Sequence, residues 1–331
     1  MKRIISLVIS LIILAVIYWK IDFQGLIKVW ENCNLWWLAI SLGMVIPLTM
    51  FTAWRLQQLM PSSTLTFGEA NRLILAASVL NMVLPSKMGD IAKAYFLRQR
   101  GHLDGSLSLS LVVFEKACDL LSLLLWCVFG LLFYPQKDWW FGLMSIMVAV
   151  GLVSGILLLS SRKIAKIFFL IGRRLAPKKL RTKLEKLQAS WGEMHDYFWR
   201  DRGQLLKITT TSIFIWFLHL LQIWLFILAL NAWTPFLANL ALSPLAILAG
   251  LLPLTFAGVG TRDAALIIFY QPYFAAPTAA ALGLLCTSRY LLPAIGGLPF
   301  LGQYLIPISL DPATHQPPQP PLLRGEQDEH L

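Results

Sequence analysis

Apolar runs about as long as a lipid bilayer is thick recur along this chain. A helix needs about 20 apolar residues to cross the hydrocarbon core, and five segments meet or approach that length: 4–19, 35–54, 106–134, 139–160 and 208–230. Charged residues make up only 14% of the chain, against about 25% in a soluble domain. A water-soluble fold would leave too much apolar surface exposed. The sequence therefore predicts an all-α integral membrane protein.

Three further apolar regions are interrupted. Region 276–309 is long enough to cross but contains Pro293 and Pro299, so one kinked helix and two shorter pieces both fit it. Segments 67–84 and 240–257 each end in a leucine-proline pair, followed by glycine and charge.

The distribution of positive charge predicts which loops face the cytoplasm. The chain starts Met-Lys-Arg, which places its N-terminus inside and makes 4–19 an uncleaved first membrane helix. Loop 20–34 is then outside, and the chain returns to the cytoplasm at Arg55. Loop 161–207 is strongly basic and must be inside. Region 85–105 is also basic, so both flanks of segment 67–84 are cytoplasmic, and the segment is predicted to be a re-entrant hairpin.

The second half of the chain repeats this pattern with inverted topology. The run VLPSKMGDIAKAYF from Val83 resembles LLPLTFAGVGTRDAALIIF from Leu251. Each reads leucine-proline, small or polar residues, glycine, charge and then helix. Paired interrupted segments at corresponding positions of two halves indicate an inverted-repeat transporter. The alternative is two ordinary loops that both use proline and glycine.

Two other regions lie at the edges of this polytopic domain, which is predicted to span 1–310. The loop 161–207 predicts basic amphipathic helices on the inner leaflet, either as a topological anchor or as a surface that recognises lipid head groups. The proline-rich tail 311–331 is predicted to be disordered. The spacing of the four cysteines predicts neither a disulfide framework nor a metal site.

Two glycine-containing clusters are candidates for a phosphate or carboxylate cradle, because glycine exposes backbone N–H groups and Lys or Arg adds full charge. One follows segment 67–84 and the other follows segment 240–257. Their residues are Pro85, Ser86, Lys87, Gly89, Asp90 and Lys93 in the first, and Gly258, Gly260, Arg262 and Asp263 in the second. The alternative interpretation is that each is a charged turn that sets topology.

Three more ionisable residues lie inside apolar segments. Glu115 and Asp119 are four apart and share one helix face. They either form structural ion pairs with Lys87, Lys93, Lys116 or Arg262, or carry protons in a transport cycle. Arg289 lies in the last apolar region and needs a carboxylate or phosphate partner.

Three motifs in order resemble a known family. They are N-x-x-x-P-S-K-x-G-D-x-x-K from Asn81, F-E-K-x-x-D-L-L from Phe114 and P-x-x-x-x-G-x-G-x-R-D from Pro253. Together they resemble the flippase-like transmembrane family related to lysylphosphatidylglycerol synthase. Where that family usually has arginine, Lys87 and Lys93 stand here.

The resemblance implies about eight membrane helices, including two re-entrant half-helix elements in an inverted repeat. It also implies a role in handling anionic phospholipids or polyprenyl-phosphate-linked lipids. Some members carry an aminoacyl-transferase domain that this sequence lacks, so we expect no enzyme activity, cofactor or nucleic-acid partner.

The leading hypothesis is a bacterial inner-membrane lipid transporter or flippase. One alternative is a non-catalytic scaffold that accompanies a glycosyltransferase or a lipid-modifying enzyme. Another is a transferase with Glu115 or Asp119 as its base, which no nucleotide or metal motif supports.

Overall fold

A computed structural model describes residues 22–60, 65–83, 89–100, 103, 105–134, 139–175, 178–251 and 260–305. The regular structure in these ranges is helical, and the helices are α1 (Phe23–Glu31), α2 (Leu35–Gly43), α3 (Val45–Leu59), α4 (Phe67–Val83), α5 (Gly89–Gln99), α6 (Gly105–Phe133), α7 (Trp139–Ser160), α8 (Arg162–Leu175), α9 (Lys178–Arg200), α10 (Arg202–Ala229), α11 (Phe236–Gly250), α12 (Thr261–Tyr270) and α13 (Ala276–Leu305). The predicted first membrane helix and the predicted disordered tail lie outside the described residues.

Five stretches of this part of the chain are long and apolar enough to cross a membrane, and they confirm an all-α membrane fold. They are Leu35–Leu59, Leu107–Phe133, Phe141–Ser160, Arg202–Ala229 and Ala276–Tyr304. The last one settles the alternative left open by the sequence, because α13 is a single helix with both Pro293 and Pro299 inside it. The connection 20–34 contains a helix that the sequence analysis did not predict, α1, which begins where the Asp22 carboxylate accepts a hydrogen bond from the backbone N–H of Gln24 (3.0 Å).

The first interrupted segment folds as a helical hairpin made of α4 and α5. The start of α4 and the end of α5 meet at Tyr304 near the end of α13. The Tyr304 hydroxyl donates to the carbonyl of Glu69 (3.4 Å), and its ring centroid lies 5.1 Å from that of Phe96. The guanidinium of Arg100, just after α5, lies 4.8 Å from the same ring centroid. The open end of this hairpin therefore faces the carboxyl end of α13.

The second interrupted segment forms a matching hairpin from α11 and α12. Tyr270, at the end of α12, donates to the side-chain oxygen of Asn239 near the start of α11 (2.9 Å). The Asn239 amide in turn donates to the carbonyl of Leu220 in the carboxyl half of α10 (2.9 Å). The ring of Phe269 lies 6.0 Å from that of Tyr134, just after α6. The open end of this hairpin therefore faces the carboxyl ends of α6 and α10.

The two hairpins open toward opposite ends of the bundle. One apolar core gathers the end of α3, the start of α4, the end of α5, the first part of α6 and the end of α13. The other gathers the rest of α6, the carboxyl half of α10, α11, α12 and the first part of α13. Opposed hairpins are the arrangement that an inverted repeat requires. That each hairpin enters the bilayer and returns stays a prediction.

Each hairpin packs against the long helix that follows the other hairpin. Helix α4 contacts α13, and α11 contacts α6. Both contacts are close enough to require glycine. A Cβ atom added to Gly297 would lie 2.1 Å from the carbonyl oxygen of Leu75, and one added to Gly130 would lie 2.3 Å from that of Ala241. Small residues let helix backbones approach in this way, which gains packing energy that lipid cannot supply.

The basic region 161–207 contains the helices that the sequence predicted. Helices α8 and α9 pack together, with the rings of Phe169 and Trp191 6.2 Å apart. Phe198 of α9 stacks on Phe114 of α6 at 4.3 Å. This stacking fixes the helix pair to the end of the bundle at which the first hairpin opens.

Candidate functional site

Six charged side chains from α3, α5 and α6 form one network of ion pairs. We call it the charged network, and its members are Arg55, Asp90, Lys93, Glu115, Lys116 and Asp119. It contains three cations and three carboxylates, so its formal charge is zero. Removing charges from water is expensive unless they are paired and hydrogen-bonded, and a balanced set meets this condition.

Glu115 pairs with the two buried cations of the charged network. One carboxylate oxygen accepts from the guanidinium of Arg55 (2.9 Å), and the other forms an ion pair with the ammonium of Lys93. Arg55 also pairs with Asp119, one helical turn further along α6, and donates to the hydroxyl of Ser212 on α10 (3.1 Å). The i,i+4 spacing on α6 aims both carboxylates at the same arginine.

The charged network opens to the outside on one side. Lys116 is 45% exposed, and its ammonium lies 3.0 Å from the Asp90 carboxylate and 3.3 Å from that of Asp119. Arg55, Lys93 and Glu115 are each at most 2% exposed. An exposed ammonium at mid-helix needs water or lipid phosphate around it. The network therefore has a buried half and an accessible half.

That the chain returns to the cytoplasm at Arg55 stays a prediction. What was not predicted from the sequence is that Arg55 is buried inside α3, where two carboxylates offset the cost of removing its charge from water. A signal was present in the sequence. Arg55 lies next to an apolar run, and an ionisable residue in a membrane helix usually pairs with an opposite charge.

Glu115 and Asp119 form ion pairs, as one of the two interpretations expected, although the set of partners differs, and the alternative role in carrying protons stays a prediction. Lys93 and Lys116 are partners as expected, Arg55 is added, and Arg262 lies elsewhere. Lys87 lies outside the described residues, as do Pro85, Ser86 and Gly258. Of the first predicted cradle, Gly89 is buried at the start of α5, beside Asp90 and one turn before Lys93.

Arg262 belongs to a second cluster, in which its donors have partners within the protein. Two of its nitrogens donate to one oxygen of Asp263 (3.0 and 2.7 Å). Nη2, one of these two, also reaches α13 at the carbonyl of Gly283 (3.0 Å) and the hydroxyl of Thr287 (2.7 Å), and Nη1 donates to the carbonyl of Cys286 (3.4 Å). These contacts attach the start of α12 to α13. The same Asp263 carboxylate accepts from the backbone N–H of Gly260 (3.0 Å), which holds that helix start in place.

Arg289 differs from both clusters. It is 5% exposed, and one nitrogen donates to the hydroxyl of Tyr290 (3.0 Å). Its Nε and Nη1 are buried, and no described residue accepts a hydrogen bond from either of them. Cys286, whose carbonyl accepts from Arg262, lies one turn earlier on α13. Arg289 is therefore a buried guanidinium with open donors beside the second cluster.

The predicted site residues thus fall into two places among the described parts of the chain. The charged network brings together Asp90, Lys93, Glu115 and Asp119, and no ion pair within the described ranges joins it to the Arg262–Asp263 pair. Those ranges also contain no group of three or more His, Cys, Asp or Glu side chains placed to hold a metal ion.

The fold and the site define a multi-pass α-helical membrane protein with opposed hairpins and buried, largely paired charges. The chain belongs to the family of the lysylphosphatidylglycerol synthase transmembrane region, whose model matches residues 3–297. It is similar to a UPF0104 membrane protein of Methanocaldococcus jannaschii, with 25% identity over 89% of this chain and 93% of that protein. No solved structure matches the chain at a significant level.

Proposed function

We propose that the protein moves an anionic lipid, a phospholipid or a polyprenyl-phosphate-linked lipid, across the cytoplasmic membrane, with its own N-terminus on the cytoplasmic side. Arg289 carries this proposal. A guanidinium buried with two open donors is costly unless an acceptor binds it. A phosphate can accept two parallel hydrogen bonds from one arginine, which a point charge such as lysine cannot match.

The other candidate cations support the choice of Arg289, because they already have partners within the protein. Lys93 is neutralised by Glu115, and the donors of Arg262 are taken by Asp263 and by α13. An incoming head group would have to break these contacts, whereas Arg289 offers donors without that cost. We therefore place the head group at Arg289 on α13, with the acyl chains left in the bilayer.

The two hairpins supply a route to this position. They open toward opposite ends of the bundle, and re-entrant half-helices of this kind can shield a central site from each side in turn. The accessible half of the charged network, at Asp90, Lys116 and Asp119, adds a polar edge along which a solvated head group could travel. We assign the protein no chemical step, so its lipid would come from a separate lipid-modifying enzyme or glycosyltransferase.

A translocation assay in proteoliposomes tests the proposal. Labelled phosphatidylglycerol is compared with labelled phosphatidylcholine for the wild type and for Arg289→Gln, Arg289→Lys and Arg100→Gln. A hydrogen bond to a charged group contributes about 1.5–3 kcal/mol, so losing it should slow translocation about tenfold or more. Arg289→Lys should recover only part of the rate. Arg100→Gln is the matched control, because Arg100 donates to the exposed carbonyl of Gln303 away from the site.

Two results would reject the proposal. The first is an unchanged phosphatidylglycerol rate in a well-folded Arg289→Gln protein, which would remove Arg289 from the path. The second is a wild-type protein that translocates neither lipid but co-purifies with a lipid-modifying enzyme, which would favour a scaffold.

A further inference from the structure

Helices α8 and α9 enclose a cavity of about 340 Å³. Apolar side chains line its buried side, namely Ala165 and Phe169 from α8 and Trp191 from α9, and all three belong to the apolar core around the first hairpin. The rings of Phe169 and Trp191 meet edge to face, 6.2 Å apart. Cavities that bind small ligands begin at about 300 Å³, so this cavity has room for a small molecule on an aromatic floor.

Trp191 brings a buried donor to this cavity. The residue is 3% exposed, and its indole Nε1 has no hydrogen-bond acceptor among the described residues. The indole nitrogen can only donate, and a buried donor that lacks an acceptor is costly. Trp199, two turns later on α9, shows the satisfied case, since its Nε1 donates to the carbonyl of Leu159 (2.9 Å). An acceptor bound in the cavity would satisfy the donor of Trp191.

Polar side chains line the rest of the cavity. Lys166 is exposed, and no carboxylate in the described parts of the chain forms an ion pair with its ammonium. Gln188 of α9 adds an amide that can both donate and accept. Arg162 already has partners, because it donates to the carbonyl of Gly192 (3.0 Å) and pairs with Asp196. An ammonium, an amide and an indole N–H beside two aromatic rings would bind a ligand with an anionic oxygen and a planar apolar part.

The cavity lies on the side of α8 opposite to the residues that would face lipid. Its lining residues on α8 share one helix face through their i, i+3, i+4, i+7 spacing, and they are Arg162, Ala165, Lys166 and Phe169. Each residue turns a helix by about 100°, so Ile167 and Ile171, which are 54% and 52% exposed, point roughly the other way. An exposed apolar face on a basic helix is typical of contact with the membrane surface. A ligand therefore reaches the cavity from water.

We propose that the cavity between α8 and α9 binds a small water-soluble organic anion, a phosphate or a carboxylate that carries a planar apolar group. The apolar group lies against Phe169 and Trp191, the Trp191 N–H donates to an oxygen of the ligand, and Lys166 supplies the positive charge. This site is separate from Arg289 and does not depend on translocation. Because one ligand touches both helices, it would hold α8 against α9.

A titration with phenyl phosphate, followed by NMR, tests this site. The full-length protein is purified in neutral detergent with isotope-labelled tryptophan indoles, and the Trp191 resonance is identified by its absence from Trp191→Phe. Phenyl phosphate should shift this resonance saturably, with a Kd on the order of 1 mM, as expected of so small a ligand. The Trp191 resonance reports this cavity directly, so phenyl phosphate bound elsewhere does not affect the conclusion.

Three further variants locate the ligand. Lys166→Gln should weaken binding about threefold to fivefold, the size of an exposed ionic contact. Lys163→Gln removes the same charge from α8 outside the cavity and should change the affinity less than about twofold. Ala189→Phe fills the cavity from an exposed position that lines it and should abolish the shift. Gel filtration and thermal melting confirm that each variant is folded.

Four outcomes would overturn the inference. An unmoved Trp191 resonance at about ten times the expected Kd would reject the site. An equal shift with inorganic phosphate would mean that the aromatic rings take no part in binding. Equal weakening by Lys163→Gln and Lys166→Gln would mean diffuse attraction. Displacement of phenyl phosphate by phosphatidylglycerol would make the cavity a site for a lipid head group.

Discussion

Replacing Glu115 by glutamine tests whether the charged network holds the bundle together. The Glu115 carboxylate accepts from Arg55 (2.9 Å) and pairs with Lys93, and all three side chains are at most 2% exposed. Glutamine has the same shape but no charge. Arg55 keeps Asp119 as a partner. Lys93 loses its carboxylate partner. Its ammonium then faces either the uncharged amide oxygen of the glutamine or the amide nitrogen, which is itself a donor.

The magnitude follows from these contacts. Removing one partner of a buried ion pair costs about 3–5 kcal/mol. The glutamine oxygen still accepts one hydrogen bond, which returns about 1 kcal/mol. We therefore expect Glu115→Gln to lower the free energy of unfolding by about 3 kcal/mol, the middle of the resulting range. Adding Lys93→Met removes the unpaired cation and should restore about 2 kcal/mol of that loss.

Equilibrium unfolding in mixed detergent micelles measures the effect, with the fluorescence of the 13 tryptophans as the signal. Lys116→Gln is the matched control from the same network. Its ammonium contacts two carboxylates but is 45% exposed, and exposed pairs contribute less than about 1 kcal/mol.

Two results would refute this reasoning. One is a loss below about 1 kcal/mol in Glu115→Gln, equal to that of an exposed pair. The other is a double variant no more stable than Glu115→Gln alone, since that would mean that Lys93 is not left unpaired.

Two further predictions concern packing and pH. Gly297→Ala places a methyl group 2.1 Å from the Leu75 carbonyl oxygen and should cost about 1–3 kcal/mol of unfolding free energy. Gly302→Ala on the same helix meets no atom of the described residues within 4 Å and should be neutral or stabilising; similar losses in both would refute the close contact. In α9, burial lowers the pKa of His195 below 6.5, aided by the Arg162 cation. As pH falls, His195 therefore gains a proton in the undocked segment before it does so in the docked helix. Docking of α9 should weaken below about pH 6.5 because protonation favours the undocked segment. Hydrogen exchange over 178–200 measures this, and His195→Gln should abolish the dependence; equal dependence in both proteins would contradict it.

Much of the fold could be predicted from the sequence because a helix that crosses a membrane needs a long apolar run. The apolar runs within the described residues lie close to the observed spans, and α4 and α11 end at Val83 and Gly250, a few residues before the predicted interruptions. Such patterns are local, since each span must satisfy its own backbone hydrogen bonds in lipid. The helix in loop 20–34 was missed because it is only nine residues long, too short for an apolar run that crosses a membrane.

The site could be predicted only in part. Glu115 and Asp119 were identified because their spacing and apolar surroundings lie within one helix. Arg55 was missed as their partner because it is 60 residues away from Glu115 in sequence. Arg262 and Arg289 look alike in sequence. Asp263 and the carbonyls of α13 accept hydrogen bonds from Arg262, whereas two buried nitrogens of Arg289 have no acceptor among the described residues.

The sequence by itself determined that this chain lies in a membrane, where its helices break, and which residues carry charge at depth. These properties depend on hydrophobic length and on residue type, which are local. Only the tertiary structure decided which charges neutralise each other and which buried guanidinium keeps donors that no described residue accepts from. Pairing depends on distances between helices that are far apart in sequence, and no single segment encodes those distances.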